Sequence, residues 1–103
     1  MKILGINRKK KFNELYKNGT KIFSPICKLL IIPADEWRIA VSVSRKNGNS
    51  VKRNKIKRRF KHIIRSILLT QNRTPSYMWF IINKKHQEFS FDTIDFFLTK
   101  MLK

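Results

Sequence analysis

Acidic side chains are scarce in this chain. Six Asp and Glu stand against 24 Lys and Arg in 103 residues, for a formal net charge of +18. A charge of that size makes nucleic acid the leading partner, with an anionic membrane surface a distant second because no lipidation motif is visible. Long apolar runs are also missing, so nothing in the sequence reads as a membrane span. Cys27 is the single cysteine, which excludes an internal disulfide and suits a reducing, cytoplasmic compartment. Residues 1–6 are too short for the apolar region of a signal peptide, and the basic run at 8–11 follows them instead of preceding them. No Gly-rich phosphate loop, repeat, low-complexity segment or linker is present.

The shortage of acids bears on chemistry as well. Glu14, Asp35, Glu36, Glu88, Asp92 and Asp95 are the whole inventory, whereas a two-metal nuclease needs several carboxylates converging on ions about 4 Å apart. Asp92 and Asp95 form the one helical pair, and they fit a first-turn carboxylate and a solvated side chain better than a metal site. His62 and His86 are the only histidines, one on a cationic helix face and one in a loop, a poor basis for paired acid–base catalysis. Metal-ligand spacing is absent. The expectation is no catalytic residue and no metal bound by the protein itself.

What the chain does have is 42% apolar content and twelve per cent aromatics, enough for one modest core and a single domain over residues 1–103. Asn7 is positioned to cap a helix over residues 8–17, with Phe12, Leu15 and Tyr16 as its apolar stripe and Gly19 as its stop. Cations at 8–11 oppose the macrodipole of that helix, so their placement favours a ligand over helix stability. Residues 23–32 read as a strand with Pro25 at its edge, and 37–43 as the second strand of a hairpin across the turn Pro33-Ala34-Asp35-Glu36. By parity Ile39, Val41 and Val43 share one sheet face while Ala40, Ser42 and Ser44 share a more open one. A long helix over 51–70, a buried strand over 76–82, a basic loop over 83–89 and a last helix over 90–102, capped by Ser90, complete the order. Helix, strand, strand, helix, strand, helix implies an α+β two-layer sandwich, with three helices against a small, mostly antiparallel sheet.

The long helix carries the strongest signal. Eight of the fourteen residues from Lys52 to Arg65 are Lys or Arg and none is acidic. Ile56, Phe60, Ile63, Ile64 and Ile67 gather on one arc, and Asn54, Arg58, Lys61 and Arg65 fall opposite, flanked by Lys55 and His62. Solvated charged faces usually mix signs. From Trp37 to Gln87 there is no acid at all against fourteen Lys or Arg, and repulsion of that kind is relieved by a polyanion.

The same stretch resembles a known family, the protein subunit of bacterial ribonuclease P. Arg53-Asn54-Lys55 stands where that family carries Arg-Asn-Arg, set among Ser42-Val43-Ser44-Arg45-Lys46, Gly48-Asn49, Val51 and Ile56-Lys57-Arg58. Phe12 and Tyr16 before Asn18-Gly19-Thr20 match its aromatic pair, and Ile81-Ile82-Asn83-Lys84 matches the end of its third major strand. The departures are Lys55 for Arg, Asn47 for an apolar residue, Ser50 for Ala and Asn83 for Arg; Lys55 keeps the charge without the planar fork. The resemblance implies a four-stranded sheet with a left-handed crossover through the basic helix, against the usual right-handed rule.

Two RNA surfaces are expected. The first, for the catalytic RNA subunit, comprises Lys46, Arg53, Asn54, Lys55, Lys57, Arg58, Lys61 and Arg65. The second is a cleft of Phe12, Tyr16, Lys28, Leu30 and Ser42, where single-stranded bases pack beside a tracked backbone. Spacing alone would make Phe12 and Tyr16 ordinary core residues; the resemblance assigns them to the 5′ leader of precursor tRNA. It further implies Mg²⁺ held mainly by the RNA partner, no required protein partner, and an accessory role in endonucleolytic removal of the leader. The alternative reading is a small basic ribosomal or RNA-chaperone protein with no reaction of its own.

Overall fold

In the computed structural model, residues 3–71, 73–82 and 90–102 are described. The elements are β1 (Ile3–Gly5), α1 (Lys9–Asn18), β2 (Thr20–Phe23), β3 (Lys28–Pro33), β4 (Trp37–Val43), a 3₁₀ turn (Arg45–Asn47), α2 (Ser50–Thr70), β5 (Ser76–Ile82) and α3 (Phe91–Met101). The five strands form one sheet in the order β1-β4-β5-β3-β2. β1 runs parallel to β4 and β4 parallel to β5, whereas β5 with β3 and β3 with β2 are antiparallel. The sheet is therefore evenly mixed and has five strands rather than four.

Most helices and strands form where periodicity places them. Along α2, Ile56, Phe60, Ile63, Ile64 and Ile67 are buried, packed with Trp37, Ile39, Val41 and Val43 of β4 and Met78, Phe80 and Ile82 of β5. α3 adds Ile94, Leu98 and Met101 to the same core. Asn49 caps α2, its Oδ1 accepting from the Lys52 N–H at 3.0 Å, and Ser90 caps α3 by accepting from the Thr93 N–H at 3.3 Å. Gly48 precedes α2 with φ +108°, a left-handed backbone that a side chain would strain. α2 and α3 thus make a two-layer sandwich with one sheet face. α1 lies across the other face over a small separate core, where Leu15 and Leu30 are fully buried.

Four local expectations are corrected. Arg8, not Asn7, occupies the cap position of α1, and no side chain caps that helix. The strand expected over 23–32 is two strands, because Ser24 turns the chain: its Oγ accepts from the Ile26 and Cys27 N–H groups at 3.3 and 3.2 Å, and its own N–H donates to the Cys27 carbonyl at 3.0 Å. β3 and β4 do not pair as a hairpin, since β5 lies between them and hydrogen-bonds both. β1 is an additional strand, tied to the β4 edge by Arg38, whose Nη1 donates to the Gly5 carbonyl at 2.7 Å. The loop expected over 83–89, with Asn83, His86 and Glu88, lies outside the described residues.

Candidate nucleic-acid interface

The outer side of α2 is strongly cationic. Burying the apolar stripe on the sheet turns Asn54, Lys55, Arg58, His62 and Arg65 outward, all exposed, with Lys57 and Lys61 half-covered beside them. Lys55, Arg58, Arg59, Lys61, His62 and Arg65 line a shallow depression of about 560 Å³. A depression walled by five cations and no carboxylate is suited to a phosphate backbone. Lys46 is exposed just upstream in the 3₁₀ turn, where its N–H donates to Ser44 Oγ at 3.2 Å. Arg53 behaves differently. It is half-buried, its Nη2 donates to Ser50 Oγ at 3.3 Å, and its Nε is sealed from solvent without a partner among the described residues. Arg53 therefore helps to build the start of α2 as well as charging it.

The opposite sheet face holds the cleft residues, and register shows how they lie. Ser42, Ile81, Lys28 and Phe23 form one row across β4, β5, β3 and β2; Ala40, Trp79, Leu30 and Lys21 form the next. α1 crosses these rows obliquely. Phe12 meets the Trp79 ring edge-on at 4.8 Å between centroids and 73°, and one turn later the Lys21 ammonium sits 5.4 Å from the Tyr16 ring centroid. Tyr16 is 59% exposed and Phe23 72%, so two aromatic surfaces stand open to solvent beside Lys21 and Lys28. Leu30 does not reach that surface: it is fully buried beneath α1 and forms the floor. Ser42 Oγ accepts from Trp79 Nε1 at 2.9 Å.

Trp79, Phe23 and Lys21 were not anticipated at this face. Residues 76–82 are apolar on both sides, which hides the alternation that buries Met78, Phe80 and Ile82 and leaves Tyr77, Trp79 and Ile81 half-covered. Beyond Phe12, α1 opens onto a cavity of about 280 Å³ lined by Ile6, Asn7, Arg8, Lys11, Glu36, Arg38 and Tyr77. Arg38 Nε donates to Glu36 Oε1 at 2.6 Å there, and that bond first of all holds the Glu36 carboxyl below its ordinary range.

Among the described residues, carboxylates do not assemble into a reaction centre. Glu14, Asp35 and Glu36 border one depression, but Lys11 stands among them, 3.3 Å from Glu14. Among the described residues, no three His, Cys, Asp or Glu side chains form a group that could hold a metal ion. Nor is any helix among the described residues long and apolar enough to cross a membrane.

Fold and surface together define a small, strongly basic α+β domain with a cationic helix on one side and an aromatic, cation-edged sheet face on the other. The chain belongs to the ribonuclease P protein family, whose model, described as Ribonuclease P, matches residues 2–103. Its relatives include the ribonuclease P protein component of Coprothermobacter proteolyticus, 42% identical over 55 residues that cover 53% of this chain and 46% of that protein. That of Streptococcus pneumoniae is 38% identical over 63 residues, 59% of this chain and 51% of its own length. The match thus spans about half the length of these relatives. Among solved structures, the Staphylococcus aureus RNase P protein superposes with a TM-score of 0.83 at 24% identity, covering 98% of this chain and 94% of that one. The Thermotoga maritima RNase P protein gives 0.81 at 23%, covering 94% and 93%. The fold is the one expected.

Proposed function

We propose that this chain is the protein subunit of a bacterial-type ribonuclease P, assisting a catalytic RNA in the endonucleolytic removal of the 5′ leader from precursor tRNA. The observation that carries the reading is the outer side of α2, where Lys55, Arg58, Lys61 and Arg65 line one depression on a helix that contains no acid. Phosphates of the RNA partner meet those cations together with Lys46, Arg53, Asn54 and Lys57, releasing counterions on assembly. The leader lies on the other sheet face, its bases against Phe12 and Tyr16 and its phosphates near Lys28 and Lys21. Ser42 and Leu30 act there through the side chains that they support. The protein contributes charge neutralisation and positioning, and no acid, base or nucleophile. Mg²⁺ is assigned to the RNA partner, a reading supported by the lack of a metal-holding group among the described residues. The setting is the cytoplasm, in keeping with the lone cysteine.

Cleavage of a 5′-labelled precursor tRNA at low Mg²⁺ tests this, with protein alone, cognate ribonuclease P RNA alone, and both. Cleavage at the mature 5′ end with both, well above that with RNA alone, is the expected result. Cleavage by protein alone would place a nuclease site in the chain, and a protein without effect in any mixture would return the reading to a ribosomal or chaperone role.

A further inference from the structure

The indole of Trp79 is held by two contacts on a half-open face. It sits on the half-open sheet face, away from the main core that contains Met78 and Phe80. Two separate contacts hold it: the Phe12 ring edge-on at 4.8 Å, and the hydrogen bond from its Nε1 to Ser42 Oγ at 2.9 Å. An indole N–H usually finds a hydrogen-bond partner once it is buried. Here the polar edge is satisfied by the protein, so an apolar or aromatic group can close over it without stranding a donor.

The surroundings provide room on one side only. α1 packs chiefly on β3 and β5, so it covers the Leu30 side of the ring, where Phe12 meets the indole edge-on. On the other side the β4 neighbours are Ala40, directly paired with Trp79, and Ser42, paired with Ile81. Both are small, both lie on the face that α1 crosses, and neither is fully buried. Two small side chains beside a large, immobilised ring leave a slot with a flat aromatic wall, and Lys28 stands on the far side of β5, one register row away. Stacking on such a wall is open to any base, and a nearby ammonium suits the phosphate that accompanies it.

We infer that Trp79 is a stacking wall for one base of the single-stranded RNA in this cleft, entering over Ala40 and Ser42, and that Ser42 is a positioning residue acting through the indole. The inference rests on the leader-cleft reading above and adds to it the residue that meets the base. Ser42 then has no need to touch RNA, and Phe12 serves as the brace of the ring as much as a contact.

The test uses the full chain with Trp37→Phe, assembled with its ribonuclease P RNA. Trp37 is 6% exposed and belongs to the core on the opposite face, so Trp79 becomes the sole tryptophan, excited selectively at the red edge where tyrosine does not absorb. Precursor tRNA with a leader is expected to quench Trp79 emission, and leaderless tRNA is not. Trp79→Leu should weaken precursor binding by about tenfold with leaderless tRNA unchanged, in line with the loss of one stacked base. Ala40→Leu, which fills the slot, should reproduce that selective loss while leaving the ring in place. Ser42→Ala should reduce the leader-dependent quench, and Ser42→Thr should restore it. Leader-dependent affinity that falls with Phe12→Ala, but without quench of Trp79 and without an effect of Ala40→Leu, would overturn the inference and leave the cleft reading intact. Equal affinity for precursor and leaderless tRNA would overturn both. A full quench in Ser42→Ala would remove the positioning role from Ser42.

Discussion

Gly19 ends α1 with φ −70°, an angle open to any residue, so left-handed freedom is not what places glycine there. The constraint is proximity: its N–H donates to the Leu15 carbonyl at 2.9 Å, and a Cβ would stand 2.4 Å from the same oxygen. Gly19→Ala is expected to cost about 1–3 kcal/mol, the usual range for forcing atoms into filled space, measured as a lower midpoint in urea; an unchanged midpoint would mean that the turn relaxes without loss. Cys27 makes the second point at this scale. Its thiol is buried beside Met101 Sδ at 3.6 Å, and burial pushes its pKa from 9.0 to about 11, with the Ser24 hydrogen bond a smaller opposing influence. Below pH 9 the thiol is protonated in folded and unfolded chains alike and its contribution is fully present. Between pH 9 and about 11 the unfolded chain gives up the proton first, so stability falls as pH rises. Cys27→Ala should flatten that part of the stability–pH curve; a curve of the same slope would assign the alkaline loss to the lysines. The role of Gly19 was not legible in the sequence, because a close approach between backbone atoms leaves no trace in residue type.

The long elements were legible because each repeats its pattern over several turns or pleats. α2 begins one residue before the expected start, with its buried stripe as read from the period, and the face opposite carries the cations in the expected order. Short and two-sided elements were not legible. β1 spans three residues, too few to display a period of two. The break between β2 and β3 carries its signal in Ser24-Pro25, a turn-initiating pair, but aliphatic residues on both sides made it read as one strand. The β3–β4 hairpin failed for another reason: neighbours in sequence pair only by default, and α2 returns the chain so that β5 takes the place between them. The distinction between Arg53 and the outer cations likewise needed the fold. Arg58→Ala and Arg65→Ala should each lower the slope of log affinity for the catalytic RNA against log salt by about one, with little change in the stability of the free protein. Arg53→Ala should weaken binding and also lower stability, because Arg53 is half-buried and bonded to Ser50. An Arg53→Ala protein as stable as the parent would place that side chain with the outer cations after all.

At the scale of the whole molecule, charge is sorted by surface. Among the described acids, Glu14, Asp35 and Glu36 sit near the start of α1, and Asp92 and Asp95 lie on α3, while α2 has none. Within α2, Arg58 and Lys61 are three residues apart and Lys61 and Arg65 four, spacings that bring like charges together on one side of the helix. Each such pair costs an isolated helix about 0.2–0.5 kcal/mol, so the surface best suited to RNA works against the folded protein when RNA is absent. Replacing Arg58 and Lys61 together by Gln keeps a flexible polar side chain of similar helix preference at both positions and removes two positive charges. The free double variant is expected to be more stable than the parent by about 0.5–1 kcal/mol, a rise of a few degrees in Tm for a domain of this size. The same variant should bind the catalytic RNA more weakly, with a salt slope smaller by about two. Both halves are needed. A fall in Tm would show that these cations are held by favourable interactions within the protein, and undiminished affinity would move the RNA to another surface. A gain in stability coupled to a loss of binding is the outcome expected if α2 is charged for its partner and not for its own fold.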